Sequence, residues 1–424
     1  MLIRQTAFAP LLHLPLRQHA GSAAVAAVRA GDEVARGQLL ALGEHELALP
    51  LHSPATGRVV SIVEQPDPRG GTVTVICLAP FPGDTQEYPL GRGWDPGSSS
   101  AASLCDAIRA AGIVGQGGEA RPTYAGLRTA AAGGVATLVL NGIEEEPAFS
   151  RIPGILGAHR DDVLMGVRYL VKATGAARVV LAVEQHDGET AKSLVEAAAP
   201  GLSIGLRVLP ARYPQGAEML LLRVLADGPA AVDGGSGDAL CVNLVTAGEV
   251  GRLLAHGQGV TDQVISLAGG ALREPGNYRV PLGTPVKFVL EQAGLLVEPV
   301  RVVEGGLMRG QALASLELPV TKGMTGLVAL GPDEAAMPEP TLPCVRCGEC
   351  LTACPMQLHP AQLGLLARKA EFKAMHEGYD LDRCIECGCC DYVCPSRIPL
   401  VQLFRAAKAH WRRHQPIATS ERAA

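Results

Sequence analysis

Residues 344–355 read CVRCGECLTACP and residues 384–395 read CIECGCCDYVCP, so the spacing C-x2-C-x2-C-x3-C-P occurs twice, 40 residues apart. Three thiolates so spaced hold one iron–sulfur cube, and where two such runs share a domain the fourth cysteine of each ligates the other cube. The expected ligand sets are Cys344, Cys347, Cys350 and Cys394 for one 4Fe-4S cluster, and Cys384, Cys387, Cys390 and Cys354 for the other. Zinc would need only the paired CxxC units and would leave the third cysteines and both Cys-Pro pairs without a purpose. Cys389 is surplus to the count and is expected to be a spare thiol.

Working outward from the cysteines, Leu363, Leu366, Ala370 and Ala374 recur at helical spacing between the two runs and predict one apolar helical stripe beside the clusters. After the second run, IPLVQLFRAAKAHWRRH puts Leu400, Leu403, Phe404, Ala407 and Trp411 on one helical face. Arg405, Lys408, Arg412 and Arg413 are expected on a solvated basic side. The cluster domain is assigned to 338–414, behind a Pro-rich hinge, AMPEPTLP, and ahead of a flexible tail, 415–424.

Upstream, residues 251–330 return to strand-like pieces, with GNYRVPLGTPVKFVLEQAG reading as a hairpin that runs into a short helix; a small β-grasp (SLBB-like) module is expected. Residues 100–250 alternate VATLVLNG, DDVLMGVRYLVKATG, ARVVLAVE and ETAKSLVEAAAPG, which implies parallel strands with helical crossovers in a Rossmann-like α/β domain. GRGWDPGSSSAAS precedes it as a linker. Residues 1–95 are short strands and turns that resemble the flattened barrel of lipoyl and biotinyl carrier domains, but no lysine lies between Gly37 and Gly57 to accept the swinging arm. The fold class is therefore multidomain α/β and α+β.

Composition narrows the function. Nine of the twelve cysteines fall between 344 and 394, a local cluster that suggests metal and not a disulfide scaffold. The net charge is -5 and aromatics are 4%, which argues against a nucleic-acid partner. No apolar window reaches the roughly 18 residues of a membrane span; the best stretch, Thr129 to Ile143, is broken by Gly133, Gly134 and Asn141. The start, Arg4 followed by LLHLPL, is interrupted by Pro10, His13, Pro15 and Arg17 without a cleavage site, so no signal peptide is expected and the protein is placed in the cytoplasm.

The order barrel, GIVGQGG, NGIEEEP, YPQGAEMLL, GNYRVPLGTP and the two cysteine runs resembles the C subunit of the Rnf ion-translocating ferredoxin:NAD oxidoreductase complex over nearly the whole chain. The α/β core of that family is similar to the flavin and NADH subunit of respiratory complex I. The resemblance implies that NADH reduces a bound FMN, which releases single electrons to the clusters. It implies a flavin site of Gly115, Gly117, Gly118, Asn141, Glu144, Glu146, Tyr213, Gly216, Glu218 and Asn243. It also implies other Rnf subunits and ferredoxin or flavodoxin as partners, with the chain peripheral on the cytoplasmic side of the inner membrane and touching that membrane only through partners. Two alternatives stand beside it: a divergent relay without flavin or NADH, and a flavin iron–sulfur reductase similar to cobalamin reductases. The chain departs from the family at GGEARPTYAG, where GGAGFPTxxK is usual, which puts Glu119 after the glycines and Gly126 in place of a lysine. It departs again at GGLMRG, residues 305–310, where GGPMMG is usual.

Overall fold

The computed structural model describes residues 2–67, 71–83, 86–198, 201–226, 238–299, 301–335 and 340–414; the tail 415–424 and half of the Pro-rich hinge lie outside the described residues. Among these residues no helix is long and apolar enough to cross a membrane.

The barrel is two small antiparallel sheets, one of Leu12–Pro15, Thr72–Pro80, Gly57–Pro66 and Glu33–Val34, the other of Val25–Ala26, Leu39–Leu42 and Leu51–His52. Leu12, Leu14, Val59, Ile76 and Leu78 from the first sheet share a core with Leu40 and Leu51 from the second, while Val73, Val75 and Cys77 on the other face of Thr72–Pro80 form a smaller buried cluster. The strand Ile3–Gln5 leaves this barrel and pairs in parallel with Gly276–Pro281, Ile3 opposite Asn277. A three-residue edge strand carries too little periodicity for its partner to be read from sequence. Because the tip region has no lysine, the intact mass of the protein from cells is expected to carry no biotin or lipoate on residues 1–90; either adduct there overturns the structural role of the barrel.

The Gly/Ser/Pro-rich linker is tied down. Gly91 N–H donates to His256 O at 2.8 Å, Trp94 N–H to Leu254 O at 3.0 Å, and the Tyr169 hydroxyl to Trp94 O at 2.6 Å. A Cβ on Gly93 would stand 2.2 Å from Ala255 O, so glycine serves backbone contact here as well as turning. Ser100 then caps the helix Ala101–Ala111 by accepting from Ser103 N–H.

The α/β domain has a four-stranded parallel sheet in the order Ile204–Leu209, Arg178–Glu184, Thr137–Gly142, Ala239–Asn243. The chain builds outward from Thr137–Gly142 in one direction, then returns to add Ala239–Asn243 on the other side. The switch point therefore lies between these two strands, at whose carboxyl ends Asn141 and Asn243 stand in register. Open α/β sheets bind ligands in the crevice at such a point.

The following module is a six-stranded sheet in the order Ile3–Gln5, Gly276–Pro281, Asp262–Ala268, Gly326–Leu330, Arg301–Glu304, Gln311–Ala312, with the helix Val286–Gln292 sharing its core. Its last hairpin, Arg301–Glu304 to Gln311–Ala312, carries GGLMRG at the tip, where Gly305 (φ +83°) and Gly306 (φ +95°) make the turn. Lys322 of this module is buried and donates from Nζ to Pro50 O (2.7 Å) in the barrel and Gly112 O (2.9 Å) in the α/β domain, tying three modules together. Burial pulls its pKa down to about 7.

The C-terminal domain is helical, and its two halves share backbone detail as well as cysteines. Arg346 and Glu386, Gly348 and Gly388, and Gln357 and Arg397 are three matched pairs in the left-handed region. The single stripe expected between the runs is broken: helix Pro360–Arg368 ends, Ala370 turns back at φ +56° and is exposed, and a second helix covers Phe372–Glu377. Leu363 and Met375 still meet Leu400, Phe404 and Ala407 in one core.

Candidate functional site

One cavity is lined by Cys354 together with Cys384, Cys387, Cys389 and Cys390, between walls that include Met356, Leu358, Val401 and Phe404. The fourth cysteine of the first run thus stands with the first three of the second. On the other side, Cys344, Cys350 and Cys394 sit half-buried in the same core, and Cys347 is exposed. Burial, then the nearby Cys347 and Cys394, push the Cys350 thiol up. Burial pushes Cys384 up to about 11, so ligation here must expel protons. A soft, all-sulfur donor set in an apolar pocket without carboxylate or imidazole suits iron–sulfur clusters. Cys389, beside Cys390, lines the same cavity as the ligand candidates.

The other predicted residues gather around the switch point. Gly115, Gly117 and Gly118 form a loop after the helix Ala101–Ala111, pinned by Gly115 N–H to Arg121 O (2.8 Å) and Gln116 N–H to Thr246 Oγ1 (2.9 Å). Asn141 is buried, donating to Gly216 O at 2.8 Å and accepting from Ile143 N–H at 3.1 Å. Glu144 caps the helix Arg151–Ala158 by accepting from Arg151 N–H at 2.7 Å and Ile152 N–H at 3.2 Å. Asn243 accepts from Val245 N–H at 2.9 Å as N-cap of Leu244–His256. Glu146 accepts from Met308 N–H (3.1 Å) and Arg309 N–H (2.7 Å) in the hairpin tip. The Tyr213 hydroxyl donates to Cys387 O, inside the second cysteine run. Glu218 is exposed at the start of Glu218–Ala226. A bare glycine loop at a sheet switch point fits the phosphate of a bound nucleotide or flavin. The Nε and Nη1 of buried Arg151, which donates from Nη2 to Gln116 O, are left without hydrogen-bond partners beneath it.

What sequence reasoning missed is the hairpin tip between these two centres. Met308 O lies 2.4 Å from where a Cβ on Gly388 would be, and Arg405 donates to Arg309 O and Gly310 O. Arg405 and Lys408 also bond Glu386 at 2.8 and 3.1 Å, and Lys408 Nζ donates to Cys384 O at 2.6 Å. The expected solvated side of the C-terminal helix is corrected here: Lys408 is buried and Arg405 largely so, because they satisfy carbonyls and a carboxylate at the junction. A loss of about 2 kcal/mol is expected for Arg405→Ala in denaturant unfolding of the full chain, with little recovery in Arg405→Lys, which lacks the planar fork.

Residues 1–80 match the family described as the RnfC barrel sandwich hybrid domain, 108–248 the Nuo51 FMN-binding domain, 264–312 the SLBB domain, and 343–398 the 4Fe-4S dicluster domain. The chain is 31% identical over 373 residues to the C subunit of the proton-translocating ferredoxin:NAD(+) oxidoreductase complex of Clostridium ljungdahlii, covering 87% of this chain and 81% of that protein. The chain belongs to the RnfC family. It is 36% identical over 422 residues to the C subunit of the ion-translocating oxidoreductase complex of Pseudomonas aeruginosa, covering 97% of itself but only 53% of that longer RnfC relative. Among solved structures, an NAD+-reducing [NiFe]-hydrogenase shares the fold, with a TM-score of 0.54 at 17% identity over 69% of this chain and 60% of that one. The C-terminal domain of this RnfC chain is of the two-cluster 4Fe-4S type, and its α/β core is of the FMN-binding type.

Two departures from the usual RnfC sequence now have positions. Glu119 is exposed and paired with Arg121 at 2.7 Å. Gly126 is exposed, with only Leu240 near a Cβ placed there. The charges that lie on the glycine loop are others: Glu145 and Arg309, joined at 2.8 Å.

Proposed function

We propose that this chain is the peripheral electron-input subunit of a membrane-bound, ion-translocating Rnf complex on the cytoplasmic face. Electrons pass between NADH, by way of FMN, and ferredoxin or flavodoxin and the neighbouring subunits through two 4Fe-4S clusters. A flavin supplies the conversion between a two-electron donor and one-electron carriers. Cys354, Cys384, Cys387 and Cys390 hold the inner cluster, and Cys344, Cys347, Cys350 and Cys394 the outer one.

The observation that carries the reading is the bond from Tyr213, in the α/β domain, to the carbonyl of Cys387, backed by the hairpin tip held between Glu146 and Arg405. These contacts hold the second cysteine run against the α/β domain. Val345 and Cys347 of the first run and Tyr392 of the second are exposed, a surface from which a partner can take an electron. Gly117 and Gly118 offer bare backbone to a phosphate, while Asn141 and Asn243 fix the two strand ends that frame the crevice.

A relay that has lost its flavin is the second reading. It is favoured by the internal partners already held by Asn141, Glu144 and Glu146. The visible spectrum of anaerobically purified protein, before and after NADH, separates the two. Flavin bands that bleach together with the broad cluster absorption are expected. Clusters without flavin, unresponsive to NADH, would establish the relay instead.

A further inference from the structure

We propose that Arg309, at the tip of the 305–310 hairpin, is the cation that binds the phosphate of the nucleotide held on the glycine loop; the inference rests on the flavin reading above. The candidates next to the loop are engaged elsewhere or lack a side chain. Arg121 is exposed and engaged with Glu119, Gly126 offers no side chain, and Arg151 is buried beneath the loop with Nη2 on Gln116 O. Arg309 comes from a different domain and lies directly over the glycines. A Cβ on Gly118 would stand 3.7 Å from its Nη2 and 3.8 Å from its Nη1.

The main chain of Arg309 is fixed from both sides. Its N–H donates to Glu146 Oε1 at 2.7 Å, and its carbonyl accepts from Arg405. Only the side-chain torsions remain to be set, and Glu145 sets them through Nη1 at 2.8 Å. A guanidinium carries five N–H groups, so one carboxylate leaves donors over for a phosphate. The side chain is 25% exposed, and Gly118 beneath it is exposed, so a ligand can reach this edge.

Glu145 orients the arginine and also opposes the ligand. Its Oε1 lies 2.9 Å from where a Cβ on Gly117 would be, so an entering phosphate meets this carboxylate as well as the guanidinium. Nucleotide affinity is thus a balance between two side chains that form one ion pair, and the two substitutions should move it in opposite directions.

The test uses the full chain with its clusters rebuilt and flavin removed. FMN and riboflavin, which differ only in the phosphate, are titrated separately by flavin fluorescence. Arg309→Ala should weaken FMN binding by about tenfold or more and leave riboflavin binding where it was. Arg309→Lys should recover part of the loss, and Glu145→Gln should tighten FMN. Iron content and circular dichroism of each variant check that the fold is intact. If Arg309→Ala binds FMN as the unaltered chain does, or loses FMN and riboflavin equally, the phosphate role is overturned while the flavin reading stands. If the unaltered chain binds neither flavin, both fall together.

Discussion

Cys354→Ala is expected to empty the cavity it shares with Cys384, Cys387 and Cys390 and to leave the cluster held by Cys344, Cys347, Cys350 and Cys394 loaded. Iron should fall from about eight to about four per chain, since each cube carries four irons and the fourth ligand comes from the other run. The geometric ground is that Cys354 lines the cavity of the second run. Cys389 complicates the outcome, because it lines that cavity too and can take the empty ligand position. The double variant Cys354→Ala with Cys389→Ala therefore gives the decisive number. Anaerobic iron and sulfide analysis with electron paramagnetic resonance of the reduced protein reads both variants. Loss of the signal from the cluster of Cys344, Cys347 and Cys350, with the second run intact, would show that ligation is not crossed. Iron of about four or fewer in the unaltered chain would remove the second cluster altogether.

The parts of this architecture legible in the sequence are those where a single segment carries its own signal. The doubled cysteine spacing, the strand–helix alternation from Thr137 onward and the apolar face Leu400, Phe404 and Ala407 are local patterns, and each stands in the structure as an element of the expected kind. What was not legible depends on partners far away in the chain. Ile3–Gln5 finds Asn277–Arg279, and Arg405 finds the carbonyls of Arg309 and Gly310. Helical periodicity sorts residues by polarity, so it assigned Arg405 and Lys408 to water. Water is not their surroundings, because a neighbouring domain supplies acceptors in the buried position. The break at Ala370 escaped for a different reason: alanine is a strong helix former, and nothing local signals that it will turn left-handed. Likewise Arg309 reads as one more charged residue in a turn, and only the fold lays it on a glycine loop nearly 200 positions upstream.

The internal repeat provides a matched pair for the last expected result, the comparison of Gly388→Ala with Gly348→Ala. Both glycines follow the second cysteine of their runs, and both are left-handed, at φ +79° and +86°. A Cβ costs roughly 1–2 kcal/mol in that region at either position. The surroundings differ. Nothing lies within 4 Å of a Cβ on Gly348, whereas one on Gly388 would press on Met308 O at 2.4 Å, a backbone atom that cannot rotate away. Both variants should lose similar local stability in their own cysteine run, but only Gly388→Ala should push the hairpin tip off the cluster domain. Amide hydrogen exchange across residues 305–310 is the readout, rising roughly tenfold for each 1.4 kcal/mol of docking lost. If the tip is the bridge between crevice and inner cluster, reduction of the clusters by NADH should slow in Gly388→Ala while iron content holds. In Gly348→Ala both exchange at the tip and the reduction rate should match the unaltered chain. Equal exchange at 305–310 in the two variants would mean that the tip yields without cost, and the junction would then be a contact without a role in joining the two centres.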